Sequence, residues 1–275
     1  MTSTRLILCS LLAACSSPSD ETLDGGVTSD DAAPTADAGP DAPPACATDG
    51  KVYVAARLGP ELEITRYDDL FTGGGVIAEV TCGAETTGLG VLTSGAMFVG
   101  LRGGGISRVT ATACTPLPIT PALAGDVALV GSGDELLALE RASGTLWKVD
   151  PTSGAATKLT TLPGGHSESS LVGGSEGVMV YVPAGLGGAG SLIPLGATGQ
   201  PGTPRPITGA SSLQAQANWV SVVGDAGALW LTMAGYFGAG GAPRTMWIRF
   251  DDDRLISPSL EYYASTVAAT AATCP

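Results

Sequence analysis

The chain has 275 residues, 44% of them hydrophobic, which is enough for one large domain with a packed core. Thirteen basic against 26 acidic residues give a net charge of -13 and exclude a phosphate backbone as partner. Forty glycines and only 14% charged residues favour turns and short strands over helices.

The chain begins with Arg5 as its one early charge, followed by the apolar run Leu6 to Leu12 and then Ala13, Ala14 and Cys15. This is the layout of an export signal over residues 1–14, too short to cross a membrane as a helix. Ordinary signal cleavage after Ala14 would place the bulky Leu12 where a small residue is needed. The segment Leu12, Ala13, Ala14, Cys15 instead resembles the lipobox of bacterial lipoproteins. That resemblance implies a diacylglycerol on the Cys15 thiol, a mature start at Cys15, and a membrane partner reached through the lipid. In that family a start of Cys15, Ser16, Ser17, with no Asp after the cysteine, implies the outer membrane of the cell envelope.

From Ser16 to Ala45 seven acids, Asp20, Glu21, Asp24, Asp30, Asp31, Asp37 and Asp41, are mixed with Ala, Pro, Ser, Thr and Gly, without a base or an aromatic residue. Such a segment buries too little apolar surface to fold. Residues 15–45 are therefore expected to form a lipidated, disordered tether, with a reach of roughly 30 Å as a flexible coil. Residues 46–275 keep 19 acids and 12 bases and are only mildly acidic.

Within 46–275, five glycine turns each precede a short apolar run. They end at Gly50, Gly95, Gly133, Gly177 and Gly227, spaced 45, 38, 44 and 50 residues apart. That is the period of a four-stranded propeller blade. Residues 126–162 display one whole unit, four strand-like runs separated by three turns. Leu146-Trp147-Lys148-Val149-Asp150-Pro151-Thr152-Ser153-Gly154 resembles the strand-turn signature of quinoprotein-like and NHL-like propeller repeats. The fold expected is all-β, a β-propeller of about five four-stranded blades, with a β-sandwich or six blades as alternatives. Blade one lacks an inner strand beside its turn at Gly50, and the C-terminal stretch Ser265 to Thr270 has the length and β-branched content to supply it. Pairing the two chain ends in one blade would close the ring.

Four cysteines remain after Cys9 and Cys15: Cys46, Cys82, Cys114 and Cys274. In an exported protein an even number predicts disulfides. Ring closure predicts Cys46 with Cys274 and Cys82 with Cys114. No paired C-x-x-C knuckle argues for zinc.

Chemical motifs are sparse. Gly185 to Gly190 spells the dinucleotide fingerprint without a following helix, and Gly173 to Gly177 spells a nucleophile elbow followed by strand, not helix. Both read as loops or turns, and neither a catalytic set nor a cofactor is expected. Candidate ligand contacts gather where second strands end: Arg57, Arg102 and Arg141, which suit an anion or simply face water, His166 in the loop before blade four, and Tyr236 and Phe237 in a glycine-rich loop. Asp251-Asp252-Asp253 lacks the alternating ligands of a calcium loop. Two functions fit: a non-catalytic, monomeric binding or scaffold propeller with a protein or small-ligand partner, or a propeller enzyme of lactonase or lyase type with a carboxylate-bound metal in the central channel. The single histidine and single asparagine, His166 and Asn218, favour the first.

Overall fold

The structure is a computed structural model. It describes residues 51–58, 61–67, 74–174, 177–183 and 190–207, and the strands within 217–271, the latter as backbone only. These residues lie in one compact unit, Pro43–Pro275.

Short runs of β-branched and large apolar residues separated by glycine turns cannot build helices, and each run pairs with the next as an antiparallel hairpin. Five four-stranded sheets result. The first orders β20 (Thr266–Ala271), β1 (Val52–Leu58), β2 (Glu61–Tyr67) and β3 (Gly75–Val80). The second runs β4 (Thr86–Val91), β5 (Met97–Leu101), β6 (Ile106–Val109) and β7 (Cys114–Leu117). The third runs β8 (Val127–Ser132), β9 (Glu135–Glu140), β10 (Thr145–Val149) and β11 (Ala156–Thr161). The fourth contains β12 (Ser170–Gly174), β13 (Gly177–Val182), β14 (Ser191–Pro194) and β15 (Arg205–Pro206). The last contains β16 (Ala217–Asp225), β17 (Ala228–Tyr236), β18 (Pro243–Asp251) and β19 (Arg254–Tyr262). The first strand of each sheet meets those of its neighbours, β20 to β4 to β8 to β12 to β16 and back to β20. This is a closed five-bladed β-propeller.

Closure is made by the chain ends. β20 pairs antiparallel with β1, Val52 opposite Ala271 and Val54 opposite Ala269, so the C-terminal strand becomes the inner strand of blade 1. The ladder removes the open edge that β1 would otherwise present.

Adjacent blades pack through alternating side chains. Tyr53, Ala55, Leu62, Ile64 and Ala78 of blade 1 meet Leu89, Val91, Met97 and Val99 of blade 2. Phe98 and Ile106 meet Leu129, Leu136 and Ala138 in the next seam, and Leu137, Leu139 and Leu146 meet Leu171, Val178 and Val180 in the one after. Successive residues of one strand thus serve opposite seams, as a pleat buried on both sides requires. Near the axis the space narrows to backbone. A Cβ at Gly88 would lie 2.6 Å from the Leu129 amide nitrogen, and one at Gly131 would collide with the Val91 carbonyl. Only glycine permits inner strands to approach this closely.

Cys82, just past β3, and Cys114, which begins β7, form a disulfide with Cα atoms 5.2 Å apart, tying the outer edges of blades 1 and 2. Cys46 and Cys274 lie outside the described residues, as do Cys15 and the tether.

Candidate functional site

The sequence directs attention to the face of the ring where inner strands begin and second strands end. Arg102 directly follows β5, and Arg141 directly follows β9. The Arg102 amide donates to the Glu85 carbonyl (2.8 Å), and the Arg141 amide donates to the Asp126 carbonyl (2.9 Å). Glu85 and Asp126 each precede the inner strand of the same blade, so each bond extends the ladder between first and second strands by one step.

The two side chains then reach forward to the following blade. Arg102 Nη1 pairs with Glu85 Oε2 at 2.5 Å, while its Nε lies 3.7 Å from Asp126 Oδ1 of blade 3. Arg141 Nε donates to the Ser169 carbonyl (2.7 Å), which precedes the inner strand of blade 4. One arginine therefore spans the second seam and the other spans the third. Arg141 is 9% exposed, and burial lowers its pKa while the charges of Asp126 and Glu168 oppose that shift. A guanidinium so held remains charged, and its Nε is committed to a fixed backbone acceptor. Of the two readings the sequence offers, anion site or solvated strand end, Arg141 matches neither: it is a buried link between blades. Arg102 is 60% exposed on its side chain but ion-paired.

Beneath Arg141 the buried carboxylate of Glu140 accepts from the Ala124 amide through Oε1 and from Ser143 Oγ through Oε2. Ser143 Oγ also lies 2.8 Å from Thr145 Oγ1. In the seam below, Thr87 Oγ1 donates to the Val127 carbonyl at 2.9 Å.

His166, a candidate ligand contact in the loop before blade 4, is buried. It is 3% exposed, with Nδ1 3.1 Å from Ser169 Oγ and Nε2 3.2 Å from the Pro163 carbonyl. A carbonyl only accepts, so Nε2 carries a proton. The ring lies against Gly144, whose φ is +68° and where a Cβ would come within 2.6 Å of His166 Cδ2. His166 thus folds its own loop over the β9–β10 turn, and both ring nitrogens are engaged. The Ser169 that anchors His166 through its hydroxyl is the residue whose carbonyl receives Arg141.

The remaining candidates are placed by backbone or not at all. Arg57 lies in β1 opposite Leu62, and Tyr236 ends β17 opposite Pro243. Tyr236 takes in blade 5 the position that Arg102 and Arg141 take in blades 2 and 3. Phe237 lies outside the described residues. Gly174 opposite Gly177 makes the Gly173 to Gly177 motif a hairpin, as its sequence context requires. The linked set of Glu85, Asp126, Glu140 and Ser169 escapes motif reading, yet one sequence signal marks part of it: an acid directly before the inner strand in blades 2 and 3. Among the described residues no three His, Cys, Asp or Glu side chains gather closely enough to hold a metal ion.

No protein-family model and no curated protein matches the chain. Among solved structures it is similar to virginiamycin B lyase from Staphylococcus aureus, at 16% identity and TM-score 0.42, over 66% of this chain and 62% of that one. It is also similar to TolB from Acinetobacter baumannii, at 11% identity and TM-score 0.47, over 82% and 67% of the two chains. The similarity to BamB from Moraxella catarrhalis is 16% identity and TM-score 0.37, over 76% and 71%. The chain spans less than two thirds of the lyase's length.

Proposed function

We propose that the mature protein is an envelope-anchored, outer-membrane lipoprotein that displays a non-catalytic propeller as a binding or scaffold module. The carrying observation is the make-up of the axis. The innermost strands β4, β8, β12, β16 and β20 contain a single ionisable residue, Asp225, at the hairpin end of β16. Chemistry in a propeller channel by a carboxylate-held metal needs several acids directed at one point, and apart from Asn218 and Trp219 on β16 these strands offer Thr, Ser, Gly and aliphatic residues in their place. Arg102 and Arg141 reach across to the following blade and His166 fixes its own loop, which suits a rigid display surface. Anchoring follows from Cys15, whose two ester-linked chains would hold the protein where one acyl chain would not, and 15–45 would keep the ring clear of the bilayer. A monomer suffices for this role.

The test is fractionation of cells expressing Cys15→Ser. The wild-type protein is expected in membrane fractions after a salt wash and the variant in the soluble fraction. Retention of Cys15→Ser on washed membranes would refute the anchor.

A further inference from the structure

In a propeller the fourth strand of every blade ends its sheet and leaves one row of backbone N–H and C=O groups outside the ladder. Four of the five outer strands carry a residue that deters the addition of a further strand. β7 has Pro116, β11 has Lys158, β15 has Pro206 and β19 has Pro258. The start of β11 is also covered by Thr120, whose amide donates to the Gly154 carbonyl and whose carbonyl accepts from the Ala156 amide. β3, which reads Gly-Val-Ile-Ala-Glu-Val, has neither proline nor lysine. Among the described residues no strand pairs with its outer edge.

The side chains of β3 divide between two faces. Ala78 and Val80 join the core toward blade 2. Glu79 stands directly opposite Glu63 and Val76 opposite Thr65, so these four share the other face, and a register shift leaves Ile77 as the extra residue between Val76 and Ala78. Val76 is 55% exposed, the one exposed large hydrophobic residue among those described. Like charges directly opposed across an antiparallel ladder are destabilising. Glu63 accepts from Thr65 Oγ1 at 3.2 Å, which supplies no positive charge, and among the described residues neither Glu63 nor Glu79 has a basic partner. Just beyond Val80, Cys82 is bonded to Cys114, which holds this end of β3 against blade 2. An edge fixed before binding costs little further ordering when a strand is added to it.

We propose that β3 is a docking edge for an extended basic segment of a partner protein, which adds to blade 1 as a fifth strand and sets a Lys or Arg beside Glu79 and Glu63. Main-chain hydrogen bonds supply the affinity of such an addition, and the paired carboxylates supply the selection. A charge on an edge repels strands that cannot match it, so Glu79 turns acidic strands away and admits basic ones. Neither the tether nor a second copy of the chain fits. Residues 16–45 contain seven acids and no base, and a second copy laid antiparallel on β3 would bring the two Glu63–Glu79 pairs onto one face. The inference rests on the reading of the protein as a binding module and names the chemistry of its partner. Its failure would leave the Cys15→Ser fractionation result untouched.

The test uses the full chain in neutral detergent at physiological ionic strength, with a dye-labelled peptide of alternating Lys and Val as the probe. Fluorescence anisotropy reads binding, and amide hydrogen exchange reads its place. Saturable binding is expected, with exchange slowed in residues 75–80 and not in β7, β11 or β19. The same peptide N-methylated at every residue keeps the charge but cannot donate to a ladder, and is expected to bind at least about tenfold more weakly. Glu79→Lys is expected to bind the unmethylated peptide at least about tenfold more weakly. It should melt no lower than the wild type, because an opposite-charge pair replaces a like-charge one. Glu135→Lys, at the β8–β9 hairpin of blade 3, makes the same change in net charge and is expected to bind as the wild type does. Equal binding of the N-methylated peptide, unchanged binding by Glu79→Lys, an equal loss in Glu135→Lys, exchange slowed only elsewhere on the ring, or no saturable binding would each overturn the proposal.

Discussion

Arg102 and Arg141 occupy equivalent positions and make equivalent backbone bonds, yet their surroundings make them energetically unequal. Arg102 sits in water, where ion pairs are screened and contribute up to about 1 kcal/mol. Arg141 is buried with its Nε on the Ser169 carbonyl and its charge near Asp126 and Glu168, so truncating it leaves that carbonyl without its donor and those acids without the countercharge. Arg141→Ala is therefore expected to destabilise the fold by roughly 2–3 kcal/mol, and Arg102→Ala by under about 1 kcal/mol, in chemical denaturation. Similar small losses in both would mean that Arg141 does not join blades 3 and 4. Sequence spacing correctly placed both arginines at second-strand ends, but it carried no information on depth, which depends on how far the loop ending at Ser169 folds over. For His166 the same loop decides the outcome, since a turn glycine 22 positions upstream, Gly144, provides the space for its ring.

At the scale of elements, hairpins follow directly from local sequence. Asp150 accepts from the Thr152 and Ser153 amides at 2.9 and 2.6 Å, and these bonds lower its pKa, so the Asp-Pro-Thr-Ser-Gly turn between β10 and β11 is fixed by its own residues. The disulfide acts between elements instead. Cys82 and Cys114 are 32 residues apart, and chain-entropy reasoning gives their bond at most roughly 3–4 kcal/mol of stabilisation. Cys82→Ser with Cys114→Ser is expected to lower stability by up to that amount without unfolding the ring. Peptide mapping of the unreduced wild type is expected to recover Cys82 joined to Cys114 and, by our proposal for the chain ends, Cys46 joined to Cys274. A peptide joining Cys46 to Cys82 would contradict both.

At the scale of the whole molecule, stability depends on the one ladder that is not local. β20 and β1 are separated by nearly the full domain, and their pairing turns five sheets into a ring. Deleting residues 266–275 would leave β1 as an open edge and remove the inner strand between β16 and β4. The truncated protein is expected to lose its cooperative thermal transition and to associate on size-exclusion chromatography. A monomer with an unchanged melting midpoint would show that closure does not hold the ring.

The sequence by itself determined the all-β class, the blade period, the hairpin positions and the strand that closes blade 1, because glycine turns and alternating apolar runs act over a few residues and repeat. Tertiary structure decided what could not be read locally. Arg141 and His166 are buried links because a loop from one blade closes over a turn of another, and the backbones of β4 and β8 meet because Gly88 and Gly131 fall opposite each other's strands. Which residues of a strand share a face was written in its alternation, but which neighbouring blade each face meets depended on the order of blades around the ring. That order is a property of the closed structure: a strand's pleat fixes which residues share a face, and only the assembled neighbours fix what each face meets.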